Sequence, residues 1–395
     1  VYALPDAYPM GDEIILIYEV LRRVVTPGAL PITAGVLVFN VETLYNVEQA
    51  VDHGYPVAEK WITIGGKVRE PYVLRVPVGT PIAQLLKRLD IQVPEDCAMI
   101  NGGPAMGGII DPNTAVVTKT TKGLLILPKE LPIIAGKLSS DRVVLSRASS
   151  ACCQCTLCTE MCPRALIGYP LEPHRAVRSA THHVEENPED FVTATLCSGC
   201  GVCELAACCQ ELSPRRVFQE MKGILAKKGL RYQHKGEPVK VSPERDYRLL
   251  PNERFKTRIG VAPFDRVPTL DDSAWLPTFV TLPMRQHVGA PAVPTVKKGD
   301  QVKVGQIIGQ AAGFISANIH SSVSGTVMSL DPVIDASGYP RPAVTIKVEG
   351  DEWDENILKE PIKKQPGTFT KEEILAAISA AGIVGMGGAT FPTQV

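Results

Sequence analysis

Ten of the 11 cysteines in this 395-residue chain lie between Cys152 and Cys209, and only Cys97 stands apart. They form two runs. The first, Cys152-x2-Cys155-x2-Cys158-x3-Cys162-Pro163, has the spacing with which a tight loop wraps a cubane iron–sulfur cluster. Three thiolates hold one cluster, the intervening amides are free to hydrogen-bond its sulfides, and a fourth cysteine followed by proline reaches the other cluster where there are two. The second run, Cys197-x2-Cys200-x2-Cys203-x4-Cys208-Cys209, is one residue longer in its last interval and carries cysteine in the place of proline. Structural zinc is the weaker alternative, because a tetrahedral site takes its ligands in two pairs and leaves a third cysteine at the same interval unexplained. A disulfide framework belongs to short secreted chains. By the two-cluster rule, Cys152, Cys155, Cys158 and Cys208 hold one cluster, and Cys197, Cys200, Cys203 and Cys162 the other, with Cys209 the rival for the place of Cys208. Cys153, Cys209 and Cys97 are expected as small buried hydrophobes. Two clusters side by side imply a one-electron relay.

A second candidate site is the glycine-rich string Gly385-Met386-Gly387-Gly388-Ala389-Thr390-Phe391-Pro392, whose bare amides could approach a phosphate closely or simply form a turn. It follows a helix announced by the capping box Thr370-Lys371-Glu372-Glu373 and ended at Gly382. Between 58 and 127, short β-rich runs (Trp61–Ile64, Tyr72–Val76, Gly123–Leu127) surround one helix-like piece, Pro81–Leu89. Ile14–Leu21 suits a buried helix and Gly35–Phe39 a strand, together half of an α/β unit. Ser213-Pro214 marks the start of a helix in the cysteine region, on which Arg215 and Arg216 are expected to form a solvated face. Residues 231–277 are polar and proline-punctuated, as in a linker or long extended connection, and 278–349 alternate as short strands.

Composition limits the function classes. Lys plus Arg number 41 against 42 Asp plus Glu, a formal charge of −1, so nothing favours nucleic acid as a partner. No apolar run approaches the ~18 residues of a membrane span, and no signal-like segment opens the sequence, which reads as soluble and cytoplasmic. With 33 glycines and 33 prolines the chain is turn-rich, and its length suits two to four domains. No Ser/His/Asp arrangement or carboxylate pair suggests hydrolysis.

The strings Tyr8-Pro9-Met10-Gly11-Asp12-Glu13, Asn40-Val41-Glu42-Thr43 and Gly387-Gly388-Ala389-Thr390-Phe391-Pro392 resemble the FMN- and NADH-binding subunit of respiratory complex I. With the two cysteine runs, the chain resembles the RnfC family, and especially its PduS-type cobalamin reductases. Ile100–Gly108, Cys197–Leu205, Leu212–Val217 and Arg285–Ala292 carry this closer resemblance. It implies a multidomain α+β protein: a partial FMN- and NADH-binding α/β region at 1–57, an SLBB-type β-grasp domain at 58–127, an all-helical two-[4Fe–4S] ferredoxin-like domain at 145–230, a linker at 231–277, a barrel-sandwich hybrid at 278–349, and the start of the flavin-domain motif at 368–395. The resemblance places flavin contacts at Gly385, Gly387, Gly388, Phe391, Gly11, Asp12, Glu13, Asn40, Glu42 and Thr43. In the family the glycine motif opens the flavin domain; in this sequence it comes last, as in a permuted or fragmentary version without the centre of that domain, and Thr390 stands where glycine is usual. Val296–Gln306 and His320–Val327 resemble a lipoyl hammerhead, but Ala311-Ala312-Gly313-Phe314 offers no carrier lysine, which leaves docking or scaffolding.

The resemblance implies NADH as donor, FMN and two [4Fe–4S] clusters as cofactors, and a corrin as acceptor, with a corrinoid adenosyltransferase-like protein as partner. The RnfC-like alternative passes electrons to membrane subunits of an ion-pumping complex, and a third reading is a non-enzymatic relay without its own flavin. The implied location is the cytoplasm, within a bacterial microcompartment or peripheral to the inner membrane.

Overall fold

A computed structural model describes residues 1–182, 191–334, 340–357, 368–387 and 390–395. The chain divides into two units, each assembled from separate stretches. Val1–Val38, Pro104–Met106 and Pro128–Asp265 form one, and Phe39–Gly103, Gly107–Leu127 and Arg266–Val395 the other.

The first unit is predominantly helical, and all the clustered cysteines belong to it. Helix Glu13–Leu21 starts where Asp12 accepts hydrogen bonds from the amides of Ile14 and Ile15, and it buries Ile14, Ile15 and Ile17. Helices Asp141–Ala151, Pro173–His182 and Pro214–Lys227 complete the frame. Val217, Phe218, Met221, Leu196, Ile167 and Leu171 fill the core between them. Pro214 occupies the first turn, as its sequence suggests, but Ser213 makes no side-chain cap bond. Arg215 and Arg216 do not form a solvated face. Arg215 is buried in an ion pair with Glu204, and Arg216 pairs with Asp141 and donates to the Ser139 carbonyl at 2.6 Å.

The run Gly35–Phe39 is not a strand. Gly35, at φ 71°, ends a 3-10 turn over Pro31–Ala34, and Leu37 is exposed with no strand paired to it among the described residues. No α/β half-unit therefore forms there. Residues 231–277 carry more order than a linker needs: Leu250–Pro251 pairs antiparallel with Ala7–Tyr8, helix Asn252–Arg258 buries Phe255, and Thr269–Asp271 extends a sheet of the second unit.

That sheet has six strands in the order Gly108–Ile110, Cys97–Asn101, Gly123–Pro128, Glu59–Gly66, Tyr72–Pro77, Thr269–Asp271. Its centre mixes parallel and antiparallel pairing, since Glu59–Gly66 runs parallel to Gly123–Pro128 and antiparallel to Tyr72–Pro77. Helix Ile82–Arg88 packs Ile82, Leu85 and Leu86 onto Ile62, Ile64, Leu74 and Ile126. A separate all-β layer joins a four-stranded sheet, order Gln301–Val302, Ser324–Ser329, Ala343–Gly350, Phe279–Pro283, to a three-stranded one, with Val280, Leu282, Ile308, Val327 and Ile346 in its core. Helix Lys371–Ala380 begins with the complete capping box and packs near helix Val41–His53 through Ile378, Ala381 and Ala50.

Phe218 is 1% exposed in the core that carries the cysteine loops. Phe218→Ala is expected to destabilise that unit by about 3–5 kcal/mol, seen as a lower urea midpoint for the loss of visible iron–sulfur absorbance.

Candidate iron–sulfur and flavin sites

The two cysteine loops are built alike. In the first, Gln154 (φ 53°) and Thr156 (φ 63°) flank Cys155; in the second, Gly199 (φ 76°) and Gly201 (φ 83°) flank Cys200. Left-handed residues on both sides of the middle cysteine curl the backbone around its thiol. The second loop uses glycine, which adopts that conformation at no steric cost, whereas the first holds two side chains there at about 1–2 kcal/mol each.

Each loop gathers its thiols with a cysteine from beside the other. Cys152, Cys155, Cys158 and Cys208 line one open recess together with Cys153 and Cys209, and the sulfurs of Cys153, Cys155 and Cys209 lie within 4.8 Å of one another. Burial pushes the Cys158 thiol up to about 12, and Cys208, Cys152 and Cys155 push it the same way. Cys162 joins the second loop instead. It is buried, and its thiol is raised first by burial and then by Cys200 and Cys197. Cys200 is pushed up to about 11, by burial first and with Cys197 adding to it, and Cys203 is raised well above its ordinary value by burial, then by Cys197 and Cys200. Cys158, Cys162, Cys200 and Cys203 are thus each held toward the neutral thiol by burial and by neighbouring cysteines. A multivalent metal centre would favour the thiolate form and so reverse that balance, which is the chemistry a cubane cluster would draw on here.

Surrounding groups hold the second loop from several directions. Lys222 donates to the Cys197 carbonyl at 2.5 Å, and Tyr8, stacked on Phe255 at 4.4 Å, donates to the Cys200 carbonyl at 2.6 Å. Arg164 grips Asp12 through Nη2, 3.1 and 3.0 Å from the two carboxylate oxygens. Main-chain amides reach sulfur directly: Gly199 N–H donates to Cys197 Sγ and Leu212 N–H to Cys208 Sγ, both at 3.3 Å. Sequence reasoning missed Arg164, Glu204 and Lys222 as parts of this setting. The position of Arg164 two residues after Cys162, and of Glu204 directly after Cys203, was the available signal.

Cys153 and Cys209 are exposed, not buried hydrophobes; Cys97 is buried as expected. The reason is local. Cys153 and Cys209 both line the same open recess as the cysteine before them, and its openness leaves their thiols exposed.

The residues proposed for flavin divide between the units. Gly11, Asp12 and Glu13 belong to the first, where the Asp12 carboxylate is already engaged by its helix cap and by Arg164. Asn40, Glu42, Thr43, Gly385, Gly387 and Phe391 belong to the second and come together there; Gly388 lies outside the described residues. Thr43 Oγ1 accepts the Met386 amide at 3.0 Å. The Phe391 carbonyl accepts the Gly385 amide at 2.9 Å, and Thr390 holds the left-handed φ of 53° that glycine would adopt more easily. Upstream, the buried Lys119 ammonium donates to the carbonyls of Gly382 (2.6 Å) and Asn318 (2.9 Å). Gly382 fits so closely that a Cβ would stand 2.3 Å from the Asn318 oxygen.

Glu42 is taken up by the fully buried Lys60 and by the Trp61 amide. Asn40 Oδ1 caps helix Val41–His53 at Glu42 N. Asn40 Nδ2 and Lys122 Nζ crowd over Gly387, where a Cβ would lie 2.6 and 2.7 Å from them. An amide donor, an ammonium and a side-chain-free turn at a helix N-terminus suit the phosphate end of a flavin mononucleotide. Lys122 was not foreseen, because nothing in its sequence setting points to the glycine string.

Family models match three stretches of the chain. Residues 1–49 match the Nuo51 FMN-binding domain, 151–213 the 4Fe-4S dicluster domain and 272–351 the RnfC barrel sandwich hybrid domain. The chain is 39% identical over 331 residues to cobalamin reductase PduS of Salmonella typhimurium, covering 83% of this chain and 73% of that protein. It is 38% identical over 333 residues to PduS of Citrobacter freundii, with the same coverage. A component of the ion-translocating oxidoreductase complex of Rhodobacter capsulatus is 45% identical over 123 residues, 30% of this chain and 23% of that protein. No helix among the described residues is long and apolar enough to cross a membrane. Both kinds of relative and both cofactor domains mark an electron-transfer flavo-iron–sulfur protein, and identity sustained over most of the chain shows that it belongs to the RnfC family, with the PduS-type cobalamin reductases.

Proposed function

We propose that this chain takes electrons from NADH and delivers them one at a time to the cobalt of a corrin. The observation that carries the acceptor is extent: similarity to cobalamin reductases runs over 83% of the chain, whereas similarity to the ion-translocating component covers 30%. FMN, when bound, supplies the exchange between two-electron hydride chemistry and one-electron transfer. Lys122, Asn40 and the main chain at Gly387 bind its phosphate. Thr43 holds the glycine turn through Met386, and Lys119 fixes the approach to that turn at Gly382.

Cys152, Cys155, Cys158 and Cys208 hold one [4Fe–4S] cluster, and Cys162, Cys197, Cys200 and Cys203 the other. Cys208 is preferred to Cys209 because it lies among the thiols that act on Cys158 and receives an amide at its sulfur. The six-stranded sheet with helix Ile82–Arg88 on one side supports an SLBB-type β-grasp assignment for 58–127, and the helices around the cysteines support an all-helical ferredoxin-like domain at 145–230. The protein works in the cytoplasm with a corrin-handling partner. Anaerobic mixing of the reconstituted protein with NADH and a cob(III)alamin tests the function: cobalt reduction matched to NADH oxidation is expected. Turnover with an artificial dye but none with the corrin contradicts the acceptor.

Cys158→Ala and Cys203→Ala should each lower iron by about four atoms per chain and each abolish a different component of the reduced electron paramagnetic resonance spectrum. Gly387→Ala places a methyl group against Asn40 and Lys122; bound FMN should fall at least several-fold while iron content stays at the wild-type level, measured on one preparation.

A further inference from the structure

Two thiols remain outside the two groups of four, and the fold brings them together at the surface. Cys153 and Cys209 are both exposed, and although 56 positions separate them in sequence, their Sγ atoms are 3.8 Å apart. That is non-bonded contact between sulfurs. Both residues line the recess that Cys152, Cys155, Cys158 and Cys208 also line. Cys155 Sγ is 3.9 Å from Cys209 Sγ, but in the cluster-loaded protein it is held as a ligand, which leaves the other two free to react. A disulfide needs its sulfurs at ~2.05 Å, about 1.8 Å closer than these stand.

We infer that Cys153 and Cys209 form a reversible dithiol–disulfide couple at the mouth of the first cluster site. It rests on the reading that Cys208, not Cys209, is the fourth ligand. The oxidant is a small-molecule disulfide such as oxidised glutathione. One thiolate attacks it, displacing one glutathione thiolate and leaving a mixed disulfide; the second thiolate attacks the protein sulfur of that adduct and displaces the other glutathione. One S–S bond breaks and one forms, two protein thiols are oxidised, and the two glutathione thiolates take up the two thiol protons. Excess glutathione reverses the sequence. The bond ties the loop after helix Asp141–Ala151 to the loop after Cys203–Ala207, so it joins the backbone of Cys152 to that of Cys208 across the solvent-facing side of the recess. Oxidation then braces the cluster site where it is open.

The test uses the cluster-loaded chain, incubated anaerobically with oxidised glutathione and then freed of it. Peptide mapping after alkylation should find Cys153 linked to Cys209 with iron content unchanged, and iron release to a chelator should slow several-fold relative to the reduced protein. Cys153→Ser should show neither change. A persistent glutathione adduct on either cysteine without a cross-link overturns the couple, and a cross-link that leaves iron release unchanged overturns its bracing role. Cys209→Ser separates this proposal from the ligand reading. With Cys208 as ligand the variant keeps its full iron, whereas loss of about four irons would show that Cys209 is the ligand and that the proposal falls with that reading.

Discussion

Crowding of thiols is the constraint on which the rest of the first unit depends. Cys162 and Cys203 are buried, and Cys158 and Cys200 are pushed up to about 12 and 11, by burial first and by neighbouring cysteines after it. A hydrophobic core has no use for such a gathering, and the chain bends its backbone to make it. Gln154 and Thr156 sit in left-handed conformations that glycine fills in the sister loop. The helices Asp141–Ala151, Pro173–His182 and Pro214–Lys227 bring loops 45 positions apart in sequence close enough to exchange a cysteine each.

The two groups have different surroundings. Burial raises the Cys197 thiol, with Lys222, Arg164 and Arg215 pulling the other way, while the first group opens to solvent beside Cys153 and Cys209. Cluster potentials respond to nearby charge, hydrogen bonds to sulfur and exposure. Equal sites are therefore not what this unit provides: a buried, cation-flanked position and an exposed one suit a relay with an inner and an outer end.

Much of this was legible in the sequence, because ligand spacing is a local property. Cysteines two residues apart must share a loop, and Asp12 before Ile14 or Thr370 before Glu373 writes a helix start directly into the chain. Pairings across distance were not legible. Gly35–Phe39 has a strand's composition but no neighbour to pair with. Arg215 and Arg216 look like surface residues until Glu204 and Asp141 are placed beside them. Tyr8 and Asp12, read as part of a flavin motif, also bond to the second cysteine loop and to Arg164. Lys122 meets Gly387 only through the fold. The exposure of Cys153 and Cys209 follows from the open recess they share with Cys155, which composition alone does not reveal.

The central claim is that this chain holds two cubane clusters on eight cysteines. Iron and acid-labile sulfide, determined on one anaerobic preparation, test it most directly. The account predicts about eight of each per chain, with negligible zinc. About four of each, or zinc in place of iron, would contradict it.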